Sequence, residues 1–131
     1  MFKDINNKGE EEFFKMLAHL FYAVGMADKK FLREEKVAII DAVEKGGFSE
    51  IDTIAFKDIM YQTLKELIEY DVKPAIAFDV FKKYYNENIQ LFPKKLRKEI
   101  QQAVQKIISA DERRNKSEVV FLTKLHLLFK V

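Results

Sequence analysis

The segment EEEFFKMLAHLFYAVGM, residues 10–26, indicates most clearly which kind of fold this chain adopts. Its apolar side chains recur at the spacing i, i+1, i+4, i+7, i+8 and i+11 of an amphipathic helix: Phe13, Phe14, Leu17, Leu20, Phe21 and Val24. A helical periodicity returns in five later segments, at residues 32–45, 49–70, 74–88, 93–108 and 116–130. Because no segment shows the apolar–polar alternation typical of strands, the pattern predicts an all-α fold of about six helices.

The total composition is typical of one globular domain. A chain of 131 residues, 48% of them hydrophobic, is long enough to bury a core of its own. We therefore expect residues 1–131 to form a single domain, with residues 1–9 as a loosely ordered N-terminal tail. The last predicted helix, residues 116–130, is apolar nearly all the way round, which predicts that it is the most buried.

Composition also excludes several classes of site. The sequence contains no cysteine, which rules out disulfides, zinc–thiolate sites, iron–sulfur clusters and thiol nucleophiles. It shows neither the apolar run of a signal peptide nor the roughly 20 apolar residues of a membrane span, so we expect a cytoplasmic protein without membrane insertion. The net charge of +2 is too small to indicate a nucleic-acid partner. The basic run KKLRK, residues 94–98, is accordingly interpreted as a solvated helix face.

One short motif occurs twice. The stretch MADKKFLREE, residues 26–35, returns in altered form as SADERRNKSE, residues 109–118. Each copy reads Ala-Asp, six residues, then Glu, and each joins the end of one apolar helix to the start of the next. The repetition predicts two pseudo-repeated helical hairpins, with the third and fourth helices connecting them.

These two motifs resemble the signature of the tellurite-resistance TerB family and its TerB-like relatives. That signature is an Asp-Gly pair followed by an apolar residue, a small polar residue and a glutamate. The matching residues are Asp28, Phe31 and Glu35 in the first copy, and Asp111, Asn115 and Glu118 in the second. Lys29 and Glu112 stand where the family prefers glycine. The resemblance implies an all-α domain associated with bacterial stress responses, with no established enzymatic activity and with acidic residues suspected of binding a metal ion.

Two interpretations of the repeated carboxylates remain open. In the first, they only cap helices: Asn115 and Glu118 have the spacing of a capping box, and Asp111 suits a turn stabilised by its own side chain. In the second, the two loops lie side by side, and the four carboxylates of Asp28, Glu35, Asp111 and Glu118 hold a hard cation such as Ca²⁺ or Mg²⁺. Leu32 cannot cap a helix with its side chain, so Glu35 has no complete capping box.

The remaining residues give no indication of catalysis. The two histidines, His19 and His126, lack the Glu-x-x-His spacing of a di-iron bundle and are expected to be helix residues without a ligand role. The sequence contains no Gly-x-Ser-x-Gly elbow, no dinucleotide-binding glycine motif and no phosphate loop. The chain is therefore predicted to be non-enzymatic, and an enzyme that uses Asp28 or Glu35 as a base is the weakest hypothesis.

Two functional hypotheses follow. The leading one is a non-enzymatic bacterial stress-response domain that binds a divalent cation through its repeated Asp-x6-Glu loops. The alternative is a metal-free protein–protein interaction module in which the acidic pairs only cap helices. A protein partner is expected, and self-association is compatible with both hypotheses. An exposed apolar patch would mark the partner surface, and Tyr85 and Phe92 are the residues considered for it.

Overall fold

A computed structural model of the chain describes residues 7–26, 53–109 and 116–129. Within these ranges the chain forms five α-helices and one short 3-10 helix, Ile89–Leu91. The α-helices are α1 (Asn7–Gly25), α2 (Thr53–Glu69), α3 (Pro74–Glu87), α4 (Lys94–Ser109) and α5 (Lys116–Phe129). The described ranges contain no strand, which confirms the all-α prediction for this part of the chain. The helix predicted at 32–45 lies outside the described residues, as do residues 1–6 of the predicted tail.

Helix α1 lies at the centre of the bundle and contacts each of the other four helices. Its residues are buried on every side from Leu17 to Val24 except at His19, because Ala18, Tyr22 and Ala23 are packed as well as the predicted apolar stripe. The prediction that the last helix is the most buried is wrong. Helix α5 leaves several apolar side chains 45–64% exposed, namely Val119, Val120 and Leu127. A helix that is apolar all round is buried only if other helices pack on every side of it. In this structure α1, and not α5, is the helix surrounded in that way.

Long-range contacts define the directions of the helices. Helices α1 and α3 are antiparallel: Phe13 meets Tyr84 at 6.4 Å between ring centroids, whereas the Tyr22 hydroxyl donates to the Val72 carbonyl at 2.7 Å. Helices α3 and α5 run parallel, because Phe78 packs on Phe121 and Tyr85 on Phe129, at 5.5 and 5.0 Å between centroids. Helices α4 and α5 are antiparallel, with the Arg97 guanidinium donating to the Phe129 carbonyl and the Gln101 amide to His126 Nδ1.

An aromatic cluster closes one end of the bundle. Phe92, which follows the 3-10 helix, is 2% exposed, and its ring lies 5.0–6.3 Å from five others, those of Phe13, Phe81, Tyr84, Tyr85 and Phe129. Tyr85 is equally buried. The exposed apolar patch considered for Tyr85 and Phe92 therefore does not form, because both side chains join α1, α3 and α5 instead.

The turn between α2 and α3 positions the start of α3 against α1. Asp71 takes a left-handed backbone conformation, with φ at 50°. Its amide donates to the Ile68 carbonyl and that of Val72 to the Leu67 carbonyl, both at 3.1 Å, which is the hydrogen-bond pattern of a Schellman motif. Val72 then packs on the core and accepts the Tyr22 hydroxyl. The break predicted at residues 71–74 is confirmed, and its geometry joins three helices at one point.

Candidate functional site

The structure describes little of the predicted cation site itself. Asp28, Glu35 and Asp111 lie outside the described residues. Glu118 is the third residue of α5, and only its backbone is described. The described parts of the chain next to the two motifs in sequence are the ends of α1 and α4 and the start of α5.

Those helix ends lie at the same end of the bundle. Arg97 lies beside Phe129, and from this pair α4 continues for 12 residues to Ser109 while α5 extends back 13 residues to Lys116. Both distances are about 18–20 Å at 1.5 Å per residue, so Ser109 and Lys116 lie at the same level. The contact of Phe78 with Phe121 places the start of α3 at that level as well.

Helix α1 ends at this level too, because Tyr22 is hydrogen-bonded to Val72 just before α3 begins. We call this the motif end of the bundle; it is defined by Gly25, Pro74, Ser109 and Lys116. In the sequence, the first Asp-x6-Glu segment follows α1 and the second lies between α4 and α5. The chain thus enters both motif segments at the motif end, opposite the aromatic cluster around Phe92.

The described residues contain no other candidate for a metal site. No group of three or more His, Asp or Glu side chains that could hold a metal ion occurs among them. His19 Nδ1 lies 2.7 Å from the Lys15 carbonyl, one helical turn earlier, and His126 Nδ1 accepts from the Gln101 amide at 3.0 Å. Each histidine thus uses one ring nitrogen in a hydrogen bond at a helix surface.

The described surface contains a groove between α3 and α5 that was not predicted from the sequence. Its volume is about 460 Å³. The wall from α3 consists of Phe78, Asp79, Lys82 and Asn86, and the wall from α5 of Lys124, Leu127 and Leu128. In the sequence, the spacing of four residues between Phe78, Lys82 and Asn86 indicates only that they share one face of a helix. The groove forms because this face of α3 packs beside α5.

Two lysines give this α3–α5 groove a positive charge. The Lys124 ammonium lies 5.2 Å from the ring centroid of Phe121 and 6.0 Å from that of Phe78, within the range of a cation–π interaction. Within the described ranges neither Lys82 nor Lys124 forms an ion pair with a carboxylate. One carboxylate, that of Asp79, lies in the same groove. The groove therefore combines an apolar floor with a net positive charge.

The basic run at residues 94–98 is mostly a solvated face. Lys94, Lys95 and Lys98 are exposed, whereas Leu96 points into the core with the apolar stripe of α4. Arg97 differs from the prediction, because its Nη1 donates to the Phe129 carbonyl at 2.8 Å. The guanidinium thereby satisfies an otherwise unpaired carbonyl at the C-terminus of α5, where a positive charge is favourable.

Two buried tyrosines have perturbed ionisation. Burial, and secondarily the charge of Glu12, raises the pKa of Tyr84 to about 12. Burial and then the charge of Asp71 raise the pKa of Tyr22 above its usual 10.0. The raised pKa values extend the pH range over which both phenols stay protonated, and the protonated Tyr22 hydroxyl is the donor that joins α1 to Val72.

Comparisons with known proteins returned no relative. No protein-family model matches the chain, and no curated protein or solved structure matches it either. The resemblance to the TerB family thus depends on the two motifs alone. In the part of the chain that the structure describes, every helix is too short or too polar to cross a lipid bilayer.

Proposed function

We propose that this chain is a non-enzymatic helical domain that binds one divalent cation, Ca²⁺ or Mg²⁺, through Asp28, Glu35, Asp111 and Glu118. The observation that carries this proposal is the position of the flanking helix ends. The described helix ends that flank the two Asp-x6-Glu segments, at Gly25, Ser109 and Lys116, all lie at the motif end. Two loops at opposite ends of a bundle could not share an ion. Because the flanking helix ends lie at the same end, a shared ion is geometrically feasible.

Chain length makes convergence of the carboxylates feasible. Asp28 follows Gly25 by three residues and Asp111 follows Ser109 by two. At about 3.3–3.6 Å per residue, their Cα atoms lie within about 11 and 7 Å of those helix ends. Helices α1 and α4 are in contact, and the axes of packed helices are about 8–10 Å apart. The two aspartates are therefore within reach of a common site.

A cation would give these carboxylates a physical role. Four neighbouring carboxylates repel one another, and this repulsion is relieved when a hard cation accepts their oxygens as ligands. Ca²⁺ takes six to eight oxygen ligands, so backbone carbonyls or water would complete its shell. Because the ion would bind only the folded chain, it would stabilise the two hairpins, by about 2.7 kcal/mol at a free concentration of 100 times Kd.

A thermal melt of the metal-stripped protein, with and without Ca²⁺, Mg²⁺, Mn²⁺ or Zn²⁺, tests the proposal. We expect one cation to raise Tm by about 8–10 °C at 100 times Kd, and the double variant Asp28→Asn/Asp111→Asn to abolish the increase. The matched control is Asp58→Asn/Asp79→Asn, which removes two exposed aspartates elsewhere and should retain it. An unchanged Tm with all four cations would refute the proposal.

The second candidate function is a metal-free interaction module in which the acidic pairs only cap helices. Its support is the exposed apolar surface of α5, where Val120 and Leu127 are 49% and 64% exposed. In that case Asp28→Asn/Asp111→Asn melts slightly lower than the wild type, and no cation changes either Tm. A role in bacterial stress response or tellurite resistance is proposed from the resemblance of the motifs alone.

A further inference from the structure

An apolar row on α5 continues the α3–α5 groove. The apolar row consists of Val120 and Leu127, which share one face of α5 with Lys124 because the three residues follow the spacing i, i+4 and i+7. Leu127 lines the groove although 64% of its surface is exposed, and Val120 is 49% exposed. These exposed side chains extend the apolar floor of the groove outward and offer a protein partner further apolar contacts.

The groove has the shape and charge for an elongated anionic occupant. Its α3 wall runs from Phe78 to Asn86, which is about 12 Å along the helix. Lys82 stands on one wall and Lys124 on the other, while Asp79 supplies the only negative charge among the residues that line the groove. The ammonium of Lys124 is held over two aromatic rings, so its charge has a defined position at the groove.

We propose that the α3–α5 groove binds an acidic amphipathic helix of a protein partner. The apolar stripe of such a helix would lie against Phe78, Leu127 and Leu128, and its flanking carboxylates would pair with Lys82 and Lys124. This proposal rests on residues other than the four carboxylates and does not depend on the cation site.

Two other occupants fit the observations less well. A small anionic molecule inside a groove of about 460 Å³ would leave the outer part of Leu127 and the neighbouring Val120 in water. A second copy of the chain would bring the same two lysines to the interface and so oppose like charges. An acidic helix covers the apolar row and neutralises the lysines at the same time.

Binding of two labelled peptides to the full chain tests the proposal. Both are helical peptides of about 18 residues with the same leucine stripe, one with glutamates and one with lysines on its flanks. Fluorescence anisotropy is measured in the presence of a metal chelator. The protein is then free of divalent cations, so the result does not depend on whether the cation proposal is correct. We expect the acidic peptide to bind at least about tenfold more tightly than the basic one, with an affinity that falls as salt is raised.

Charge reversal in the groove supplies the decisive comparison. The variant Lys82→Glu/Lys124→Glu should reverse the preference to the basic peptide, and Leu127→Ser should weaken the acidic peptide about tenfold. The matched control Lys94→Glu/Lys98→Glu reverses two exposed lysines on α4 and should leave the preference unchanged. Circular dichroism and urea unfolding establish that each variant folds.

Several results would overturn the proposal. These are equal binding of both peptides, no binding at millimolar peptide, or the same loss in the α4 control as in the groove variant. Dimers in sedimentation that disappear in Leu127→Ser would instead assign the groove to a second copy. Binding of a short-chain fatty acid, without binding of the acidic peptide, would assign the groove to a small molecule.

Discussion

Replacement of Phe92 by alanine should remove the side chain that holds the aromatic end of the bundle together. Phe92 is 2% exposed, and its ring lies 5.0–6.3 Å from five other aromatic rings. Truncation of a buried phenylalanine costs about 3–5 kcal/mol. We expect the upper part of that range, about 4–5 kcal/mol, because each lost ring pair contributes about 0.5–1.5 kcal/mol beyond burial. A domain of this size has a total stability of about 5–15 kcal/mol, so the loss is severe.

Urea unfolding, followed by far-UV circular dichroism and by tyrosine fluorescence in this tryptophan-free chain, measures the loss. The corresponding decrease in Tm is about 15 °C. Ile89→Ala is the matched control, because Ile89 lies three residues earlier and is 53% exposed; its loss should stay below about 1 kcal/mol. A cost for Phe92→Ala below about 1.5 kcal/mol, or no larger than that for Ile89→Ala, would refute a central packing role for Phe92.

Three further predictions address single contacts. Asp71→Gly should raise the free energy of unfolding by about 0.5–1 kcal/mol in urea, because φ at 50° strains a residue with a Cβ atom; Asp71→Ala should not. The raised pKa of Tyr84 keeps its proton on the folded chain, so stability should be intact below pH 10 and decrease as pH rises through about 12. That decrease approaches about 2–3 kcal/mol; Tyr84→Phe should remove this contribution and leave only the part due to Tyr22, and tyrosinate absorbance against pH checks it. Arg97→Gln should cost about 1.5–3 kcal/mol and speed hydrogen exchange near Phe129, whereas unchanged exchange there would contradict the capping role.

Much of the local structure was predictable from the sequence. The segments predicted at 74–88, 93–108 and 116–130 agree with α3, α4 and α5 within a residue or two, and α1 begins a few residues before its predicted start. Pro74 and Pro93 mark where α3 and α4 begin. These features are local, because helical hydrogen bonds and the apolar spacing of a helix link residues at most a few positions apart.

The candidate sites were predictable only in part. The Asp-x6-Glu repeat is visible in the sequence, whereas only the tertiary contacts show that Gly25, Ser109 and Lys116, which border the two segments, lie at one end of the bundle. The α3–α5 groove was not predictable, because Lys82 and Lys124 line one groove only when two helices far apart in the chain run parallel.

By itself, the sequence determined that the part of the chain described by the structure is helical, where most of its helices lie and which carboxylates repeat. Only the tertiary structure decided that α1 is central, that Phe92 is buried among five rings and that Arg97 caps α5. The physical reason is the range of the interactions. The apolar periodicity of a segment depends on residues only a few positions apart in the sequence. The contacts of Tyr22 with Val72 and of Arg97 with Phe129, in contrast, join residues 50 and 32 positions apart. Such contacts depend on how all the apolar faces pack together, which no single segment encodes.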